Sequence, residues 1–151
     1  LAISIAFTLG HSVSLALGAY RLVPINITLI EVLVAASIFL AALHALRPIF
    51  SNREWLVAGG FGLIHGLAFS GTLTELGLPP LDNTVALLGF NIGVEAAQLL
   101  VMTAALPLVL LSRYPTFQTL RRAAMVIIAM LAALWIGERA FGLPLPDWLL
   151  V

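Results

Sequence analysis

The sequence predicts an all-α fold, a polytopic transmembrane helix bundle that forms one domain over residues 1–151. Composition is the first reason, because 62% of the residues are hydrophobic and only 9% are charged. Soluble domains are about 45–50% apolar and about 25% charged. The second reason is that apolar runs of roughly 20 residues, long enough to cross a bilayer, recur along the chain. Turn-forming or charged residues separate these runs, which indicates distinct helices joined by short loops.

Five helices are expected. They cover about residues 1–20, 27–46, 55–73, 84–111 and 120–141. The breaks between them read, in order, "RLVPIN", "RPIFSNRE", "ELGLPPLDN" and "SRYPTFQ". The tail 142–151 carries two prolines and Trp148, and we expect it to lie at the membrane interface without spanning. Because the chain starts inside an apolar run with no signal-peptide pattern, we also expect sequence upstream of Leu1.

The placement of arginine predicts the orientation in the membrane. The connections between the second and third helices and between the fourth and fifth helices carry most of the arginines: Arg47, Arg53, Arg113, Arg121 and Arg122. Short Arg-rich loops stay on the cytoplasmic side. We therefore expect these two connections in the cytoplasm and the C-terminus on the periplasmic or extracellular side.

Four polar residues inside the apolar helices are the main candidates for function: His11, His65, Asn91 and Glu95. An ionisable side chain near mid-bilayer is costly unless it is paired or lines a wet cavity. If the first, third and fourth helices pack together, the two histidines and Glu95 can meet at similar depth. Imidazole with oxygen ligands suits nickel, cobalt or zinc. The same residues could instead form a proton relay. They could also make hydrogen bonds between helices that only fix the packing.

Four further residues are weaker candidates for metal contact. Gln98 lies on the same helical stripe as Asn91 and Glu95, whereas the others lie nearer helix ends: His44, Glu31 and Glu138. The two glutamates could line an outer vestibule or could simply be hydrated. His44 lies one turn before an arginine at the inner end of its helix, a position typical of interfacial histidines.

The third helix carries small residues at every fourth position: Ala58, Gly62, Gly66 and Ser70. This spacing places them on one face and predicts close contact with a neighbouring helix. The segment "GGFG" is not a phosphate loop, because it lacks the Lys-Ser/Thr ending and follows no strand.

Several classes of function are excluded by what the sequence lacks. The formal net charge is zero and no basic patch is present, so a nucleic-acid partner is not expected. Cysteine is absent, which removes both disulfides and thiolate metal ligands. We find no nucleophile–base pair and no complete metal-plus-base motif, so a metal-dependent membrane enzyme is the least favoured alternative.

Three segments on separate helices, "FTLGHSVSLAL", "GLIHGLAFS" and "GFNIGVEAAQL", resemble the HupE/UreJ family of bacterial membrane proteins, and "ALHALRP" and "WIGERAFG" fit as well. The resemblance covers nearly the whole chain. It implies a bundle of about six to seven helices in the bacterial inner membrane, with secondary permeation of nickel or cobalt. It also implies that His11, His65, Asn91 and Glu95 are the family's polar positions. The family's metal signature, a histidine followed shortly by an Asp-His pair, is not in this chain and is expected on a first helix upstream of Leu1.

These observations together predict a permease for a divalent transition metal ion, with nickel or cobalt as cargo and zinc as a further candidate. No tightly bound cofactor is expected, and the predicted partners are membrane lipid and the transported ion. The alternative function is a non-transporting accessory subunit of a larger membrane complex. In that case other membrane subunits would be the partners, and the polar residues would hold helices together.

Overall fold

The computed structural model describes residues 2–75 and 80–142. Side chains are described in these ranges except for residues 72–83 and 108. The described chain forms five α-helices and contains no strand in these ranges, which confirms the all-α prediction. The helices are α1 (Ala2–Ala19), α2 (Ile27–Leu46), α3 (Glu54–Glu75), α4 (Pro80–Leu111) and α5 (Pro115–Phe141).

The α3 helix lies at the centre of the bundle. It packs extensively against α1 on one side and makes a smaller contact with α2 on the other. The α5 helix packs on the far side of α2, and α4 meets α1 through a smaller contact. The resulting order in space is α4, α1, α3, α2, α5, so the outer helices expose most of their apolar side chains. Such side chains are suited to lipid contact, because a bilayer does not exclude them as water does.

The contact between α1 and α3 is made by backbone and small residues. All four residues of the predicted small face of α3, from Ala58 to Ser70, are buried, which confirms that prediction. A Cβ atom added to Gly62 would overlap the carbonyl oxygen of Phe7, and one added to Gly66 would overlap that of His11. The two helices therefore approach as closely as their main chains allow.

The helix ends explain where the chain turns. The α1 helix ends with Arg21 in the left-handed region, at φ 55°, and the Leu22 amide donates to the Leu17 carbonyl at 2.9 Å. This bond is the signature of a Schellman ending, in which glycine is the usual left-handed residue. At the start of α2, the Asn26 side chain accepts a hydrogen bond from the Leu29 amide at 3.1 Å. This N-cap satisfies an amide that lacks a partner within the helix.

Two predicted boundaries are corrected by the structure. The fifth helix begins at Pro115 and not near Leu120, because proline is well suited to the first helical position, where its missing N–H is not needed. The fourth begins at Pro80 and not near Thr84, for the same reason. It continues through Pro107 to Leu111. The predicted interfacial tail lies outside the described residues beyond Gly142.

Four helical segments in the described ranges are long and apolar enough to cross a membrane: Ala2–Ala19, Ile27–Leu46, Thr84–Leu111 and Pro115–Phe141. The α3 helix, which lies between α1 and α2, combines apolar residues with several glycines and His65. A helix enclosed by protein on two sides does not need a fully apolar surface.

Candidate functional site

His11 lies in a cage of phenylalanine rings. Its imidazole stacks nearly parallel on Phe7, with centroids 6.1 Å apart, and on Phe90 of α4 at 6.0 Å. Phe69 of α3 meets it edge-on at 5.9 Å. Three helices thus supply one ring each around a single histidine, and the aromatic contacts hold the plane of the imidazole.

The His11 ring is enclosed to an unusual degree for a polar side chain. It is 1% exposed, and its Nε2 atom has no hydrogen-bond partner among the described residues. A buried polar atom without a partner costs about 1–3 kcal/mol. The cage therefore contains an atom that is available to a ligand.

His65 lies near the middle of α3 and bridges its two neighbours. Its Nε2 atom is 3.0 Å from the Ser37 hydroxyl on α2. Its ring meets Phe7 of α1 edge-on, with centroids 5.7 Å apart. Phe7 therefore contacts both histidines and lies between the His11 cage and His65.

Asn91 of α4 fixes the polar contact between α4 and α1. Its side-chain oxygen accepts a hydrogen bond from the Ser12 hydroxyl at 2.7 Å, and its amide nitrogen donates to the Leu87 carbonyl at 3.0 Å. The Asn91 side chain also lies close enough to interact with the His11 ring. One amide group thus ties the histidine cage to the start of a polar stripe on α4.

Glu95 lies in a separate groove between α1 and α4. The groove has a volume of about 330 Å³, and its polar lining comes from Ser4, Thr8, Glu95 and Gln98. Met102 also lines the groove, and its sulfur accepts a hydrogen bond from the Ser4 hydroxyl at 3.9 Å. Carboxylate, amide, hydroxyl and thioether groups therefore face one space that opens to the side of the bundle.

The structure brings the predicted residues together only in part. His11, His65 and Asn91 gather around the phenylalanine cage, whereas Glu95 and Gln98 lie in the groove. Among the side chains that the structure describes, which leave out residues 72–83, no group of three or more His, Asp or Glu residues is close enough to enclose a metal ion. The expected meeting of both histidines with Glu95 is thus absent from the described structure. A site here would need amide oxygens, water or further ligands.

His44 has a structural role at the end of α2. Its Nδ1 atom accepts hydrogen bonds from the amides of Ile49 at 3.0 Å and Phe50 at 3.3 Å, and its ring stacks on Phe50. Because Nδ1 accepts both bonds, the single proton of the neutral ring lies on Nε2. Metal ligation by either nitrogen would require breaking this arrangement. The geometry therefore disfavours His44 as a ligand.

Glu31 and Glu138 meet through one arginine. Arg139 of α5 contacts Glu31 of α2 at 3.1 Å, and its Nε atom lies 4.0 Å from Glu138. This cluster joins α2 to α5, away from the histidine cage. Of the weaker candidates, the structure thus brings Glu31 and Glu138 together, and the guanidinium group of Arg139 contacts both.

Sequence reasoning missed the three phenylalanines and Ser37. A spacing signal was present for Phe7, which precedes His11 by four residues and stacks on it. Residues four apart share a helix face, so Phe7 was predictable as a neighbour of His11. The other residues offered no such signal, because the partners of Phe69, Phe90 and Ser37 lie on other helices.

A comparison with known protein families identifies a related family. The profile described as HupE / UreJ protein matches residues 1–139. The chain belongs to the HupE/UreJ family. This is a transporter-type family linked to nickel and cobalt transport, and its membership together with the apolar helices makes the chain an integral membrane protein. No curated protein and no solved structure matches the chain significantly.

Proposed function

We propose that this HupE/UreJ member is a permease for nickel or cobalt ions, with zinc as a further candidate cargo. His11, His65 and Asn91 form the inner part of the path, and Glu95 with Gln98 forms a second polar station in the α1–α4 groove. No step requires a resident cofactor. The residues lie near the middle of their helices, which supports a location deep in the bilayer.

The observation that carries the proposal is the unpartnered Nε2 atom of the enclosed His11. A structural histidine would be expected to use both ring nitrogens in hydrogen bonds, as buried polar groups generally do. A nitrogen left without a partner in a cage of hydrocarbon rings is explained if a cargo ion occupies the site part of the time. Borderline divalent ions such as nickel and cobalt bind imidazole well.

The incomplete ligand set is also consistent with transport. A site that encloses an ion with four protein ligands would hold it as a structural metal. Conduction requires binding that is favourable enough for entry and weak enough for release. The imidazoles of His11 and His65, with the amide of Asn91, would coordinate an ion in part. The groove that contains Glu95 would do so at a second place along α1.

The proposed location is the bacterial inner membrane, with the α2–α3 and α4–α5 connections in the cytoplasm and the C-terminus in the periplasm. The arginines of those connections support this orientation. Cysteine accessibility provides a direct check, because the chain has no native cysteine. A cysteine placed at Asn52 should be protected from a membrane-impermeant reagent in intact spheroplasts and labelled after lysis.

Metal uptake tests the function directly. Cells that express the wild type should accumulate more nickel or cobalt than cells without it, and His11→Phe, which preserves the aromatic cage, should abolish the difference. Glu95→Gln should lower uptake by reducing cation attraction at the groove. Glu54→Gln, a carboxylate outside the cage and groove, is the matched control and should transport normally. Equal nickel, cobalt and zinc uptake in all strains, with protein levels matched, would refute the permease.

The accessory-subunit alternative gains no particular support from the exposed apolar surface, because lipid covers such a surface equally well. Purification in mild detergent separates the two functions. A stoichiometric membrane partner, together with a wild-type protein that neither binds nor moves metal, would favour the subunit.

A further inference from the structure

The hydrogen bonds of Ser37 determine where the proton of its hydroxyl lies. The Ser37 oxygen is 2.7 Å from the Val34 carbonyl oxygen. Two oxygen atoms approach this closely only with a proton between them, and a carbonyl cannot supply it. The single hydroxyl proton of Ser37 is therefore used within α2.

The same hydroxyl is 3.0 Å from His65 Nε2. Because the Ser37 proton is committed to Val34, the serine oxygen can only accept at this contact. His65 Nε2 must then be the donor, and a neutral imidazole carries just one N–H. His65 is therefore the Nε2–H tautomer, and its Nδ1 atom retains a free lone pair.

We infer that Ser37 is a positioning residue for metal transport, which fixes His65 as the Nε2–H tautomer so that Nδ1 is the atom that contacts the ion. This inference rests on the proposed function for the ion and on hydrogen-bond geometry for the tautomer. Histidines that bind metals commonly donate their other N–H to an oxygen, which sets the tautomer and the ring orientation. In this protein the accepting oxygen belongs to the Ser37 hydroxyl on the neighbouring helix α2.

The surroundings of the pair preserve this arrangement. Ser37 is 3% exposed, so water does not compete for its oxygen. Phe7 contacts the His65 ring from α1 while Ser37 holds it from α2, so both sides limit rotation of the ring. Loss of the serine oxygen would remove the polar contact on the α2 side and leave the tautomer unspecified.

Nitrogen NMR tests the tautomer without any metal. The protein, labelled with ¹⁵N-histidine and reconstituted in lipid nanodiscs, contains three histidines, which single His→Gln variants assign. We expect the His65 Nε2 signal to show a directly bonded proton and Nδ1 to show none. S37A should give a mixture of tautomers, whereas S37T should restore the wild-type pattern. S112A, which removes an exposed hydroxyl with the same type of bond to a carbonyl three residues earlier, is the control and should leave the His65 signals unchanged.

Metal binding tests the positioning role. Nickel binding by the purified protein should weaken about 10–100-fold in S37A, the range typical for loss of a partner behind a metal ligand, and S37T should recover it. A proton on Nδ1 in the wild type, or S37A with unchanged tautomer and unchanged nickel affinity, would overturn the inference. A wild type with the expected tautomer but no nickel or cobalt binding would instead overturn the proposed function and the metal role of Nδ1, and would leave the tautomer assignment standing.

Discussion

The contact between α1 and α3 predicts a large difference between two neighbouring glycines. In Gly62→Ala the new methyl group would lie 3.0 Å from the His11 backbone nitrogen and closer still to the Phe7 carbonyl oxygen. Both are main-chain atoms, so the clash cannot be relieved by rotating a side chain. In Gly60→Ala, on the same helix, the methyl group would meet nothing within 4 Å.

Two contributions of opposite sign determine how each substitution changes the free energy of unfolding. Replacing glycine by alanine within a helix is favourable by about 1 kcal/mol, so Gly60→Ala should leave stability unchanged or raise it. Overpacking of a close contact costs typically about 1–3 kcal/mol. Gly62→Ala should therefore be destabilised by up to about 2 kcal/mol, after the helix term is subtracted.

Unfolding in mixed micelles with increasing SDS measures the difference, with helix content and tryptophan fluorescence as independent probes. We expect the midpoint of Gly62→Ala to fall clearly below the wild type, with Gly60→Ala at or above it. A Gly62→Ala protein as stable as Gly60→Ala would refute backbone contact between α1 and α3. Gly66→Ala provides a repeat of the test, since its methyl group would lie 2.9 Å from the Leu15 nitrogen.

Three smaller effects follow from the helix ends and the exposed ion pair, and the same unfolding assay measures them. Arg21→Gly should stabilise the protein by about 1 kcal/mol, because glycine adopts positive φ without the penalty of a side chain; a lower midpoint would contradict the Schellman ending of α1. Asn26→Ala should destabilise by about 0.5–2 kcal/mol through loss of the α2 N-cap, and Asn26→Ser should recover most of this. Arg139→Gln should change stability by less than about 1 kcal/mol, because its contact with Glu31 is half exposed; a larger loss would show that this pair holds α5 on α2.

Local patterns in the sequence predicted much of the fold. Hydropathy located the helices, and the four-residue spacing from Ala58 to Ser70 predicted the buried face of α3. The early start of α5 was missed because the polar stretch around Gln118 hides the helix signal, although Pro115 is a strong initiator. Periodicity within a helix was informative in these cases because it depends only on near neighbours.

The candidate site was less predictable, because it depends on pairs of helices. Depth along each helix suggested that His11, His65 and Glu95 could meet, but depth does not fix rotation about the helix axis. In the structure Glu95 faces Ser4 and Thr8, while His11 is enclosed by phenylalanines. The role of His44 was equally hidden, since its two donors come from the loop that follows α2.

The glycine contacts of α1 and α3 also limit how the protein can change shape. Gly10 faces the Gly59 carbonyl oxygen so closely that a Cβ atom would not fit, and the same is true one turn further along at Gly62. With main chains interlocked at successive turns, one helix cannot slide past the other without first separating from it. The α1–α3 pair is therefore a fixed frame that carries both histidines. If the protein is the proposed permease, α4 is the helix best placed to move, because the hydrogen bonds Ser4–Met102 and Ser12–Asn91 that join it to α1 at the groove are made between side chains.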